Sequence, residues 1–195
     1  MNSIDCRSAG NLRLLARLFW GSVASIGLLQ VSHAAGAETA AAPVTAVWKA
    51  HEVKLHYYGF TTYYTCSGIE DRLETILKQL GANDDVRVSA SGCMGVNDVS
   101  NMISARIRVR MPVASPSNEA ESFSAVSSPV TLRTLRAGEV GAGECELLEE
   151  VRDRLLPALN IAVVSDDLLC VPRQASHVSR SLKVSALIAA AQTPR

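Results

Sequence analysis

The sequence predicts a small α+β domain, a two-layer sandwich of two β-α-β-β halves with helices on one face of a mainly antiparallel sheet. Two amphipathic helix patterns open near cysteines, Cys66 and Cys145, and share their phase. Period-two strand patterns flank each helix. An N-terminal export signal also places the cysteines where disulfides form.

Arg7, Arg13 and Arg17 precede an apolar stretch from Leu18 to Val31, and small residues follow at Ser32, Ala34, Ala35, Gly36 and Ala37. This is the order of a Sec-type signal peptide over residues 1–37, cleaved after Ala37 or Ala34. The apolar run of about 14 residues is short against the roughly 20 that a spanning helix needs. No stable membrane span is expected after cleavage, and the expected location is periplasmic or secreted. No lipid-anchor cysteine follows the run, since Cys6 lies before it.

Three of the 19 basic and one of the 19 acidic residues leave with the signal, so 16 stand against 18, a formal charge of −2. Near-neutrality gives no support to nucleic acid as a partner. Four cysteines remain, Cys66, Cys93, Cys145 and Cys170, an even number that favours two bridges.

Residues 38–46 read as a disordered leader before a single domain over 47–191, with halves 47–111 and 130–191 joined by a Ser-, Pro- and Ala-rich linker, 112–129. His51 to Phe60 alternates as a strand. Ser67 and Glu70 have capping-box spacing. Ile69, Leu73, Ile76, Leu77 and Leu80 form one helical stripe, stopped at Gly81. Val86, Val88 and Ala90 mark a second strand. In the third, Ile103, Ala105, Ile107, Val109 and Met111 alternate with Ser104, Arg106, Arg108 and Arg110. The second half repeats the plan: a strand from Val130 to Arg136, a Gly-rich turn, a helix from Glu144 to Asn160, a strand from Ile161, and a last strand through Leu182, Val184, Ala186 and Ile188.

Apolar residues fall at +3, +10, +11 and +14 from both Cys66 and Cys145, with acidic pairs at +4 and +5, which suggests an internal repeat. The same geometry selects the disulfides. A helix of about 14 residues is ~21 Å long, and a strand of about 7 residues is ~23 Å long. A strand that returns antiparallel to its helix therefore ends beside the helix start. Cys66 is expected to meet Cys93, and Cys145 to meet Cys170.

Two ligand-binding candidates emerge. The segment from Tyr57 to Cys66 holds five of the seven aromatic residues left after signal removal, and Tyr58, Tyr63 and Tyr64 can offer ring faces and hydroxyls to a ligand. The structural alternative has Tyr57 and Phe60 in the core and the others packed over the bridge. The second candidate is a basic sheet face formed by Lys54, His56, Arg87, Arg106, Arg108, Arg110, Arg133 and Lys183, for which an anionic glycan, a lipid head group or an acidic envelope protein is the natural partner. The plain alternative is a solvated strand face.

No catalytic residue, metal site or cofactor is read from the sequence. There is no C-x-x-C, His51, His56 and His177 lack ligand spacing, and Asp84-Asp85 and Asp166-Asp167 have the look of turns. The expectation is a non-enzymatic binding or interaction module, with a periplasmic hydrolase or thiol-redox enzyme as the alternative.

The run HYYGFTTYYTCSGIEDRLETILKQLGANDDVRV, with Gly92-Cys93 beyond it, resembles a family of uncharacterised exported proteobacterial proteins. These share a Tyr-rich Y-x-C segment, an amphipathic helix ending Leu-Gly-Ala, and a later Gly-Cys. The resemblance covers residues 48–111, implies export, and brings no activity or site residue with it.

Overall fold

The described residues build eight strands: β1 (Val44–Tyr58), β2 (Tyr64–Thr65), β3 (Arg87–Ser91), β4 (Val99–Ser100), β5 (Met102–Ala114), β6 (Phe123–Arg133), β7 (Ala162–Asp166) and β8 (Ser181–Ala189). Its helices are α1 (Cys66–Gln79), α2 (Cys145–Glu150) and α3 (Leu156–Ala158), with a π-helical segment (Val151–Leu155) joining the last two. The computed structural model describes residues 42–94, 98–116, 121–134, 144–171 and 179–190. Residues 1–37, read above as a signal peptide, residues 38–41 of the expected leader, Gly138, Gly141, Gly143 and His177 lie outside these.

Six strands form one sheet in the order β3-β5-β1-β6-β8-β7, and every neighbouring pair is antiparallel. β2 and β4 pair separately, through Tyr64 with Ser100 and Thr65 with Val99. Each half contributes three adjacent strands. The order from edge to centre is the same in both: second strand, third strand, first strand.

The halves join at a short seam, where Val44–Ala46 pairs with Phe123–Ala125. Trp48 stacks on Phe123 there, with ring centroids 4.7 Å apart. Beyond the seam β1 packs against α2 and the π-helical segment. This corrects two sequence boundaries. The presumed leader contributes Val44–Ala46 to β1, with Ala46 fully buried, and the presumed linker supplies the end of β5 and the start of β6. Small residues such as Ala and Ser look like linker in composition, but they also suit strands that pack closely at a seam.

One core unites the layers. The inward residues of β1 and β5 (Val53, Leu55, Tyr57; Ile103 to Met111 at alternate positions) meet the stripe Ile69, Leu73, Ile76, Leu77 and Leu80, and Leu147, Leu148, Val151, Leu155 and Leu156 from the second half. Leu182, Val184 and Ala186 complete it.

Both helices stop in the same way. Gly81 (φ +88°) donates to Lys78 O and Ala82 to Leu77 O, while Asn160 (φ 56°) donates to Pro157 O and Ile161 to Leu156 O. These are Schellman closures, each fifteen residues after its cysteine. Gly81 is required for space as well, since a Cβ would sit 2.6 Å from Leu187 O. The helix start differs from the expected capping box. Thr65 is the N-cap and accepts from Gly68 N at 3.0 Å, while Glu70 accepts from Ala90 N at 2.6 Å and so ties α1 to β3.

Cys66 is bridged to Cys93 and Cys145 to Cys170, with Cα separations of 5.7 and 5.5 Å. Among the described residues no helix is long and apolar enough to cross a membrane.

Candidate functional site: the cleft beneath the tyrosine-rich segment

After Tyr58 the chain leaves the six-stranded sheet, and at Tyr64 it enters the separate β2–β4 pair. Gly59 N donates to Asn101 O (2.8 Å), and Asn101 Nδ2 donates back to Gly59 O (3.0 Å). A Cβ at position 59 would collide with the Tyr57 hydroxyl, which donates to Thr62 O at 2.7 Å. The turn is therefore shaped around that buried phenol. Its other anchor comes from the second half. The Glu146 carboxylate accepts from Phe60 N (2.9 Å), Thr61 N (3.0 Å) and Thr61 Oγ1 (3.1 Å).

Between this segment and the start of α1 lies a cleft of about 680 Å³, lined by Thr61–Thr65, Gly68, Asp71, Arg72, Thr75, Val99 and Glu144. Arg72 Nη2 and Glu144 Oε2 form an ion pair at 2.7 Å, and Arg72 also reaches Arg133 O at 3.4 Å. Burial pushes the Glu144 carboxyl above the ordinary carboxylate range, against the opposing pull of Arg72. Burial, then the charge of Glu144, raises the Tyr64 phenol. Three polar atoms in the wall, Thr62 Oγ1, the Tyr64 hydroxyl and Arg72 Nε, are buried without a hydrogen-bond partner among the described residues. Buried polar groups are rarely left so.

The structure separates the three candidate tyrosines. Tyr63 is 58% exposed at the cleft rim. Tyr64 is buried edge-on against Tyr57, with ring centroids 5.2 Å apart, so its ring offers no stacking face. Tyr58 lies on the outer face of the sheet and meets Phe60 edge-to-face at 4.8 Å, both half-exposed. The expectation that Phe60 fills the core is corrected by this exposure. Placed just past the end of β1, it has left the inward-facing register.

The basic candidates also divide. Lys54, His56, Arg87, Arg106, Arg108 and Arg110 are all exposed on β1, β3 and β5 and line three shallow depressions over that face. Arg133 and Lys183 belong to the second half and line none of these. Asp85 binds Arg110 of β5 (2.8 Å), Asp166 ties the end of β7 to Arg152 of the π-helical segment (3.0 Å), and Asp167 approaches Arg180 (3.6 Å), so these acids join elements of the scaffold. Among the described residues no group of three or more His, Cys, Asp or Glu is placed to hold a metal ion.

Sequence reasoning missed Arg72, Glu144 and Glu146. An acidic residue at a helix start reads as a partner of the helix dipole. Nothing local shows that Glu146 instead anchors a turn 85 residues earlier.

No protein-family model matches the chain, and no curated protein or solved structure is significantly similar to it.

Proposed function

We propose that this protein is an exported, non-enzymatic binding module of the cell envelope, whose ligand enters the cleft beneath the tyrosine-rich segment. The cleft itself carries the reading: a depression of ligand size with an exposed aromatic rim at Tyr63, threonine hydroxyls in its wall and unpartnered polar atoms behind it. Glu144 is tied through Oε2 to Arg72 at 2.7 Å, an ion pair that fixes the wall of the cleft. The absence of a C-x-x-C pair in the sequence speaks against a thiol-redox role.

In this reading residues 1–37 are the cleaved signal, the mature protein is periplasmic or secreted, and the chain belongs with the exported proteobacterial proteins it resembles. The two β-α-β-β halves descend from one duplicated unit, a view supported by matching helix closures and bridge positions. The test is affinity capture from envelope extract with wild type, Tyr63→Ala and Asp71→Ala. Both substituted residues are exposed, so the fold should persist. A partner retained by wild type and lost by both variants is the expected result. An identical set of captured partners would overturn the reading.

A further inference from the structure

The strand register sets like charges directly opposite one another on the outer face of β3, β5 and β1. Arg87 faces Arg108, and Lys54 faces Arg106. Such cross-strand pairs are unfavourable in an isolated sheet. Against Lys54, Arg87, Arg106, Arg108 and Arg110 this face sets Glu52 and, at its margin, Asp85 and Glu74. Asp85 closes on Arg110 at 2.8 Å. Glu52 stands 3.6 Å from the Nε of both Arg106 and Arg108, beyond hydrogen-bonding distance, so their donors stay open. Among the described residues Arg87 and Lys54 have no ion-pair partner. His56 is engaged with Ser104 Oγ at 3.0 Å.

The shape is equally specific. Arg106, Arg108 and Arg110 recur at every second residue of β5, a spacing of ~7 Å along a straight line. Beside this ladder lies a floor of small hydroxyl side chains, Ser89, Ser91 and Ser104. At its end the exposed Tyr58 stands opposite Met102.

We propose that this face binds a linear acidic polysaccharide, its carboxylates on Arg87, Arg108, Arg106 and Lys54 and a sugar ring against Tyr58. Charge complementarity names the anion, since each unfavourable pair gains a shared counter-charge. The straight ladder fits an extended chain, the serines suit sugar hydroxyls, and an aromatic face suits the apolar side of a pyranose. Two disulfides are compatible with the extracytoplasmic location of the proposed function, where surface glycans are at hand.

The test uses the disulfide-bonded protein, with polygalacturonate as the probe and dextran, single-stranded oligo-dT and phosphatidylglycerol vesicles in parallel. Wild type should bind polygalacturonate and be released by about 0.5 M NaCl, where charges are screened within a few ångströms. Arg106→Ala/Arg108→Ala should weaken binding at least tenfold, roughly the effect of losing one charge-assisted contact. Tyr58→Ala should weaken it at each salt concentration below that of release. Glu52→Gln should strengthen it, a gain that misfolding cannot produce. Failure to bind, equal binding to dextran, or a double variant that binds like wild type would overturn the proposal. So would tighter binding to oligo-dT or vesicles, which would assign the face to nucleic acid or membrane instead.

Discussion

The carboxylate of Glu146, in the first turn of α2, accepts a 2.9 Å hydrogen bond from the backbone N–H of Phe60. It also takes the N–H and hydroxyl of Thr61, so one side chain of the second half fixes the turn that shapes the cleft in the first. Glu146→Ala removes the acceptor and strands two part-buried backbone donors, a loss expected to cost about 2 kcal/mol. Glu146→Gln keeps one oxygen and should cost less. Urea unfolding measures both, and amide exchange at Phe60 and Thr61 should quicken in the alanine variant. A change within about 0.5 kcal/mol, typical of an ordinary surface site, would show that the turn holds itself.

Much of the scaffold that presents this turn was legible in the sequence. The alternation from Ile103 to Met111 identified the inward face of β5, and the stripe from Ile69 to Leu80 identified the buried face of α1. Both follow from local periodicity, and the bridge pairing followed from element lengths. What escaped was set by contacts remote in sequence. Thr65 caps α1 where Ser67 had the better spacing, because Glu70 is drawn away to Ala90 N. Tyr63 and Tyr64 are neighbours of like chemistry, yet one rims the cleft and the other enters the core. Only the register of β2 on β4 decides which is which.

The Arg72–Glu144 pair predicts a pH dependence. Burial raises the Glu144 carboxyl, so the folded state holds that proton more tightly than the unfolded chain does. The associated stability is fully present below the unfolded value, about 4.3, and is lost as pH rises through the folded one. Glu144→Gln cannot titrate. The stability of wild type relative to this variant should therefore fall as pH is raised from acid towards neutrality. Urea midpoints for the two proteins across that interval check the sign. A difference that stays constant with pH would mean that Arg72 fully offsets the cost of burial.

The two bridges should differ in what they restrain. Their sequence separations, 27 and 25 residues, are so close that loop entropy assigns each about 3–4 kcal/mol. Their surroundings are unequal. β3 is bonded to β5 along its whole length and tied to α1 through Glu70 and Ala90 N, so it keeps other restraints when Cys66–Cys93 is removed. β3 and β7 are the two edge strands, but β7 is exposed at all five residues and its pairing with β8 is interrupted by an irregularity between Val163 and Ser165. Beyond it Leu169 and Val171 are exposed, and Leu168 supplies the nearby buried contact. Cys66→Ser/Cys93→Ser and Cys145→Ser/Cys170→Ser should thus lose similar global stability in urea. In native-state amide exchange they should part: β7 protection should collapse in the second variant, while β3 protection in the first should fall only in step with global stability. Matching behaviour of β3 and β7 would show that strand pairing, not the bridge, holds the far edge of the sheet.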